Sequence, residues 1–168
     1  ERARSAAKEP VWVLGAGEGH DHNLISMMPS LTSLIARETG PKAMAKAGIS
    51  HDDIDLTMIY DSFTYTVMLT LESLGFCARG EAADFVANQR TAPGGDFPLN
   101  TAGGGLSYTH PGMYGSFLLV EAVRQLRGEA GARQVHKKGT TDQNPQISLV
   151  NGTGGSLSST GTVVLGTG

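Results

Sequence analysis

The stretch that decides the fold is NTAGGGLSYTHPGMYG, residues 100–115. Three consecutive glycines lead into polar side chains, and a His-Pro pair precedes a segment with helical periodicity. Glycine allows a backbone to approach a ligand closely, and proline is favoured in the first turn of a helix. The sequence therefore predicts that His110 lies at the positive N-terminal end of a helix over 112–128. A histidine in this setting is typical of an active site, and equally of a tight loop that a histidine caps.

The composition is that of one globular domain, because 168 residues with 39% hydrophobic side chains can bury a sizeable core. The net charge of −3, without a basic stripe, argues against nucleic acid as a partner. The single cysteine, Cys77, excludes an internal disulfide and a zinc site made of cysteines. No apolar run approaches the roughly 20 residues of a membrane span, and the charged first residues lack the apolar core of a signal peptide. We therefore expect a cytoplasmic protein.

Glycine accounts for 23 residues, concentrated in short clusters beside segments with strand or helix patterns. In α/β proteins such loops meet at strand ends, where ligand sites lie. The periodicity predicts the order β, α, β, α, a long loop, α, β, β, and hence an α/β fold in which helices cover a mixed sheet. The predicted strands are 11–14, 56–60, 147–150 and 161–165, the predicted helices are 30–47 (broken at Gly40-Pro41), 63–74, 81–88 and 112–128, and 15–19 and 151–155 are predicted glycine loops.

The predicted loop after the first strand has two further interpretations. A strand followed by GAGEG resembles a dinucleotide-binding fingerprint, but the third glycine is misplaced for G-x-G-x-x-G and the following residues start a helix poorly. His20 and His22 could together ligate a metal ion, yet no third ligand is evident. We therefore predict an exposed polar loop here and no metal site.

A second polar junction follows the predicted strand 56–60. Tyr60, Asp61 and Ser62 lie at its carboxyl end, which is a favoured place for chemistry in α/β folds. Asp61 has an alternative interpretation as the N-cap of the helix over 63–74. One aspartate can cap a helix and also take part in a site, so the sequence leaves both roles of Asp61 open.

Three blocks, in this order and spacing, resemble those of thiolases. YDSF at 60–63 corresponds to the family's Asn-Glu-Ala-Phe block, which is His-Asp-Cys-Phe in the sterol-carrier branch. Residues 100–111 correspond to Asn-x-x-Gly-Gly…Gly-His-Pro, with Thr109 where glycine is usual, and NGTGG at 151–155 corresponds to the closing Cys-x-Gly-x-Gly. Over nearly its whole length the chain therefore resembles the C-terminal half of a thiolase, of the sterol-carrier-protein-type and lipid-transfer-protein-like branch.

The resemblance implies one thiolase-like C-terminal domain over residues 1–168, with the half-fold βαβαβαββ. Thiolases stack two such halves, usually in dimers or tetramers, and the first half carries the nucleophilic cysteine. Nothing in these residues corresponds to that half. We expect the N-terminal half and a second copy of the protein (a homodimer) as partners, and an uncovered apolar face without them.

The resemblance also implies roles for individual residues. His110 would activate the nucleophilic cysteine and bind the thioester oxygen, and Tyr60 would help to form a second oxyanion site. Asn151 occupies the place of the closing cysteine, the family's acid/base, and an amide cannot transfer a proton near neutral pH. The other positions that the resemblance implies for substrate or oxyanion binding are Asp61, Asn100, Gly104, Gly105, Gly152 and Gly154.

Three functions remain open. One is acyl transfer on 3-ketoacyl-CoA, in which the carbon–carbon bond beside the thioester is formed or thiolysed. Another is that of the thiolase-like aldolases, which cleave steroid or lipid side chains of 3-hydroxyacyl-CoA, use tyrosines for proton transfer and take an OB-fold (DUF35-type) partner; Tyr60, Tyr108 and Tyr114 around His110 are compatible with it. The third is a non-catalytic subunit. In both enzymatic cases a coenzyme A thioester is the substrate, and no covalently bound cofactor is expected.

Overall fold

A computed structural model describes residues 2–167. Its centre is a four-stranded mixed sheet in the order β1-β4-β3-β2, with β2 parallel to β3 and the other pairs antiparallel. The strands are β1 (Trp12–His20), β2 (Leu56–Ile59), β3 (Ile147–Gly154) and β4 (Ser159–Gly166). The helices are α1 (Ala36–Ala47), α2 (Thr64–Leu74), α3 (Ala82–Val86), α4 (Gly104–Ser107) and α5 (Gly115–Leu126), and short 3₁₀ turns lie at Ile25–Met27, His51–Asp53 and Gly131–Arg133. No helix among the described residues is long and apolar enough to span a membrane.

Helices cover both faces of this sheet. Leu149 of β3 packs under α1 and α2, whereas its neighbour Val150 packs under α5, because successive side chains of a strand point to opposite faces. Strands buried on both faces are typical of α/β proteins. The predicted α/β class, with its mixed sheet covered by helices, is confirmed.

The glycines at 15–19 lie in a strand, so the predicted loop is wrong. β1 continues through all of them and pairs with β4 as far as His20. A Cβ on Gly17 would lie 2.5 Å from the carbonyl oxygen of Thr39, and one on Gly15 would collide with the backbone of Ala43. These glycines therefore allow α1 to pack directly on the strand, a contact between distant segments that local sequence patterns do not reveal.

The first helix also differs from its prediction. α1 begins at Ala36 and continues without a break past Gly40 and Pro41 to Ala47. A Cβ on Gly40 would lie 2.7 Å from Leu74 Cδ2, so this glycine serves the packing of α1 on α2. The helix ends at Gly48, whose φ of 70° is the left-handed cap conformation that the sequence predicts.

The closing hairpin is present, but its turn is shorter than expected. β3 extends through Asn151 to Gly154, and the turn to β4 occupies only 155–158. The half-fold implied by the resemblance has five strands, but the sheet described here has four. In place of the third strand along the chain there is a single parallel bridge, between Leu99 and Thr57. Residue 98 is a proline, which cannot donate to a strand ladder.

A glycine substitution tests the contact between β1 and α1. We expect Gly17→Ala to lower the free energy of unfolding by about 1–3 kcal/mol, because the new methyl group overlaps the Thr39 carbonyl. Gly161→Ala in β4 is the matched control, since no atom lies within 4 Å of its Cβ position. Urea denaturation measures both, and equal stabilities for the two variants would contradict this packing.

Candidate active site

Tyr60 and His110 form the centre of the site. The strand β2 ends at Ile59, and the Tyr60 N–H continues its pairing by donating to the Asn151 carbonyl at 2.9 Å. The Tyr60 hydroxyl lies 2.6 Å from His110 Nδ1, and the two rings are nearly parallel, with an interplanar angle of 8°. Two residues that are 50 positions apart in sequence therefore share one short hydrogen bond.

Asn100 holds the end of β2. Its side-chain oxygen accepts from the Ile59 N–H at 2.9 Å, and its Nδ2 donates to the Ile59 carbonyl at 2.7 Å, while its own N–H donates to Thr57. The amide thus takes the place of a neighbouring strand residue. Because both amide atoms are bonded within the protein, Asn100 positions the strand end, and the substrate-binding role that the resemblance implied stays a prediction.

Asp61 anchors the glycine-rich segment. Its carboxylate, only 5% exposed, accepts from the Gly105 N–H at 2.6 Å and from the Leu106 N–H at 3.1 Å. The N-cap residue of α2 is instead Phe63, so the capping interpretation of Asp61 is wrong. A Cβ on Gly104 would collide with the Asp61 carboxylate, and the φ of 72° at Gly104 favours glycine there. These residues place the segment that carries His110 beside Tyr60.

The helix after the His-Pro pair begins later than predicted. α5 starts at Gly115, and residues 112–114 form a turn, so His110 does not lie at a helix N-terminus. Proline is compatible with either a turn or a first helical turn, and the sequence does not distinguish them. The turn instead directs Tyr114 inward, where its buried ring stacks on Tyr60 with the ring centroids 5.6 Å apart.

Two tyrosines of the site have altered acidity. Burial raises the pKa of Tyr60, and the nearby negative charge of Asp61 raises it further. Burial and the Asp61 carboxylate raise the pKa of Tyr114 in the same way. Both side chains are therefore phenols at neutral pH, and a proton taken up by Tyr60 must be passed on to a neighbour. His110 is the neighbour within hydrogen-bond distance.

Asn151 lies apart from this pair. Its side chain is fully buried, its Nδ2 donates to Thr162 Oγ1 at 2.8 Å, and Thr162 is in turn bonded to Thr39 of α1. It faces the interior between the sheet and α1, and it does not line the cavity that holds His110. The position equivalent to the closing cysteine has thus become part of the sheet's packing.

A cavity of about 910 Å³ opens in front of the Tyr60–His110 pair. Ligand pockets typically enclose about 300–1,000 Å³ and are mostly apolar. The predicted site residues that line it are Tyr60, His110, Tyr114 and Gly154, and the residues that sequence reasoning missed include Ile25, Met28, Leu31, Phe63, Tyr65 and Leu157. Ile25 and Met28 lie in the stretch before the predicted helix 30–47, and Leu31 lies in its first turn, so no pattern in the sequence indicates that the three side chains line one cavity.

The other predicted site residues lie outside this cavity. Tyr108, 70% exposed, borders a separate cavity of about 320 Å³ beside α5, together with Asn100 and Gly104. Gly152 packs against the backbone of Gly115. The structure therefore brings Tyr60, Tyr114 and His110 together and leaves Tyr108 at the surface.

The two histidines near the end of β1 have protein partners at both ring nitrogens. His20 contacts Ser159 and Asn23, and His22 contacts Asp21 and the Ser156 carbonyl. His22 is buried, which corrects the prediction of an exposed loop. Within residues 2–167 no three histidine, cysteine or acidic side chains are grouped as a metal site would require.

Comparison with known proteins places the chain among thiolase relatives. Residues 17–167 match the family described as Thiolase C-terminal domain-like. The chain is 42% identical over 135 residues to a steroid side-chain-cleaving aldolase of Thermomonospora curvata. It is 38% identical over 134 residues to the 17-hydroxy-3-oxo-4-pregnene-20-carboxyl-CoA lyase of Mycobacterium tuberculosis. Each alignment covers 76% of this chain and 34% of the relative, so the chain spans about a third of the length of these proteins.

A solved structure, described as the Ltp2-ChsH2(DUF35) aldolase, has the same fold. It superposes with a TM-score of 0.80 and 34% sequence identity, over 99% of this chain and 42% of that chain. The likeness therefore includes the segments that carry Tyr60 and His110.

A substitution of Asp61 tests its anchoring role. We expect Asp61→Asn to lower the free energy of unfolding by about 1–3 kcal/mol, because its amide group would face one of the two N–H donors without accepting from it. Asp52→Asn is the matched control, since the Asp52 side chain is 98% exposed. Urea denaturation compares them, and a similarly small change in both variants would show that Asp61 does not anchor the segment.

Proposed function

We propose retro-aldol cleavage of 3-hydroxyacyl-CoA thioesters, of the steroid or lipid side-chain type, for this chain, which belongs to the Thiolase C-terminal domain-like family. The hydrogen bond between Tyr60 and His110, at the wall of a large apolar cavity, carries the proposal. The names of two relatives, an aldolase and a CoA-thioester lyase, support the same chemistry.

The Tyr60–His110 pair would move the proton that the reaction requires. In the tautomer of His110 that leaves Nδ1 unprotonated, the Tyr60 hydroxyl would donate to Nδ1, and its oxygen would accept the proton of the substrate's 3-hydroxyl. As that proton arrives, the Tyr60 proton passes to Nδ1, so that His110 becomes an imidazolium and the substrate an alkoxide. A tyrosine is already a phenol at neutral pH, and burial raises the pKa of Tyr60 further, so Tyr60 would have to give its own proton to His110 as it accepts another.

Bond cleavage then follows from the alkoxide. Its electron pair forms the new carbonyl, the bond between C2 and C3 breaks, and the released pair becomes the enolate of the shortened thioester. The proton held by His110 returns through Tyr60 to C2. The products are an aldehyde or ketone and a shortened acyl-CoA, and the pair recovers its starting protonation.

Thiolysis is less well supported by the same geometry. In thiolases the closing cysteine is the acid/base, and the corresponding Asn151 is buried and bonded to Thr162. An amide in this position offers no proton transfer near neutral pH. A retro-aldol reaction needs no thiol there, because the Tyr60–His110 pair would accept the proton of the 3-hydroxyl and return it to C2.

The rest of the enzyme would supply what this domain lacks. We propose that residues 1–168 are the C-terminal domain of a two-half, homodimeric protein and that an OB-fold (DUF35-type) partner completes the site. The share of about a third that the chain covers in its relatives supports the first part, and the solved aldolase with a DUF35 component supports the second. The coenzyme A moiety would be held largely by those other parts.

Turnover measurements on the full-length protein with its partner test the reaction. We expect a 3-hydroxyacyl-CoA to release an aldehyde or ketone, and a 3-ketoacyl-CoA with free coenzyme A to remain uncleaved. Thiolysis of the ketone alone would instead establish an acyltransferase, and no turnover of either would favour a non-catalytic subunit. The 168 residues by themselves should be inactive with both substrates.

Removal of one hydroxyl tests the role of Tyr60. We expect Tyr60→Phe to lower kcat about 100-fold or more with little change in KM, because the ring remains while the proton acceptor is lost. His110→Ala should cause a loss of similar size. Tyr108→Phe is the control, since that tyrosine lies outside the cavity. Full activity of Tyr60→Phe would exclude the proton transfer described above.

A further inference from the structure

The stretch between β1 and α1 forms one wall of the main cavity. Residues 24–31 are here called the wall segment. Their one regular element is the short 3₁₀ turn Ile25–Met27. Ile25, Met28 and Leu31 line the cavity that Tyr60 and His110 share. Ile25 is 52% exposed and Leu31 is 64% exposed, so this domain itself leaves much of their apolar surface uncovered beside the cavity.

Hydrogen bonds fix both ends of the wall segment. Three residues before it, the Asp21 N–H donates to the Ser158 carbonyl at 3.1 Å. At its end, the Tyr65 hydroxyl of α2 donates to the Leu31 carbonyl at 2.6 Å, and the Leu34 N–H donates to Ser73 Oγ at 2.9 Å. The segment is therefore held in place against the cavity although it lacks regular structure.

A buried histidine joins this wall to the β3–β4 turn. The ring nitrogens of His22 lie 2.6 Å from Asp21 Oδ1 and 2.9 Å from the Ser156 carbonyl oxygen. The turn also carries Leu157, which lines the cavity with a φ of 62°. A left-handed conformation is unfavourable for leucine, and it persists where surrounding contacts enforce it. The wall segment and the turn thus act as one preformed apolar surface.

We infer that this surface determines substrate specificity by binding the acyl group of the thioester, and that it selects a bulky fused-ring or branched acyl group over a short one. The inference rests on the proposed function. A short acyl group beside Tyr60 and His110 would leave most of a 910 Å³ cavity empty, whereas a bulky one would cover Ile25, Leu31 and Leu157. Covering exposed apolar side chains favours binding in proportion to the area removed from water.

Binding of uncleavable probes to the full-length protein with its partner tests this inference. The probes are a steroid acyl-CoA without a 3-hydroxyl group and acetyl-CoA, with Kd measured by calorimetry. We expect Ile25→Ser and Leu31→Ser each to weaken binding of the steroid acyl-CoA about ten-fold, and to change that of acetyl-CoA less than about two-fold.

Two neighbouring residues provide matched controls. Leu24 and Met27 belong to the same segment and are also exposed, but they do not line the cavity. Leu24→Ser and Met27→Ser should leave both Kd values unchanged. If these controls weaken binding as much as the cavity variants, the segment is a protein-docking surface and the inference is wrong. Equal weakening of both probes by Ile25→Ser would also overturn it.

Probe binding and turnover test the wall segment and the proposed reaction separately. Because neither probe is cleaved, selective loss of steroid acyl-CoA binding would support the wall segment even in a protein that shows no retro-aldol turnover. Conversely, retro-aldol turnover together with unchanged probe binding in Ile25→Ser and Leu31→Ser would support the reaction and exclude the wall segment as its specificity determinant.

Discussion

The buried carboxylate of Asp61 is the constraint on which the site depends. Two backbone N–H groups, of Gly105 and Leu106, donate to it, and a carboxylate taken out of water needs such partners. These two bonds tie Asp61, the second residue after β2, to the first turn of α4, and so fix where the following segment begins. Gly104 is required because any side chain there would occupy the space of the carboxylate.

Asn100 adds a second tie between the same two segments. Its amide pairs with the N–H and the carbonyl of Ile59, as a neighbouring strand would. It does so one residue after Leu99, which forms the single bridge to β2 at this edge of the sheet. Both ties lie within a few residues of Tyr60. These ties hold Tyr60 and the start of α4 in place, whereas His110 lies in the exposed stretch between α4 and α5 and reaches Tyr60 through its own hydrogen bond. In the proposed reaction, a tyrosine fixed in this way needs little rearrangement when the proton moves.

The chemistry follows from a redistribution of roles within the half-site. Asn151 stands at the position that the resemblance equates with the acid/base cysteine of thiolases. Its amide donates to Thr162, which is bonded in turn to Thr39, between the sheet and α1. In the proposed reaction, proton transfer falls instead to Tyr60, a phenol whose pKa is raised by burial and by Asp61 and which is hydrogen-bonded to the imidazole of His110. Opposite them, apolar side chains from the segment before α1 complete the cavity.

The sequence by itself determined that strands lie at β2, β3 and β4 and helices at α2 and α5, though not where β3 ends or where α5 begins. It also determined the blocks that identify the half-site, because these have a fixed spacing of residue types. Only the tertiary structure decided that Gly17 is a strand residue under α1 and that Asp61 and Asn100 bind backbone. It also decided that Ile25 and Leu31 line the same cavity as Tyr60 and His110. Glycine, carboxylate and amide groups suit both ligand and backbone contacts, and a non-periodic segment has no pattern that reveals its neighbours, so their roles depend on which distant residues the fold brings beside them.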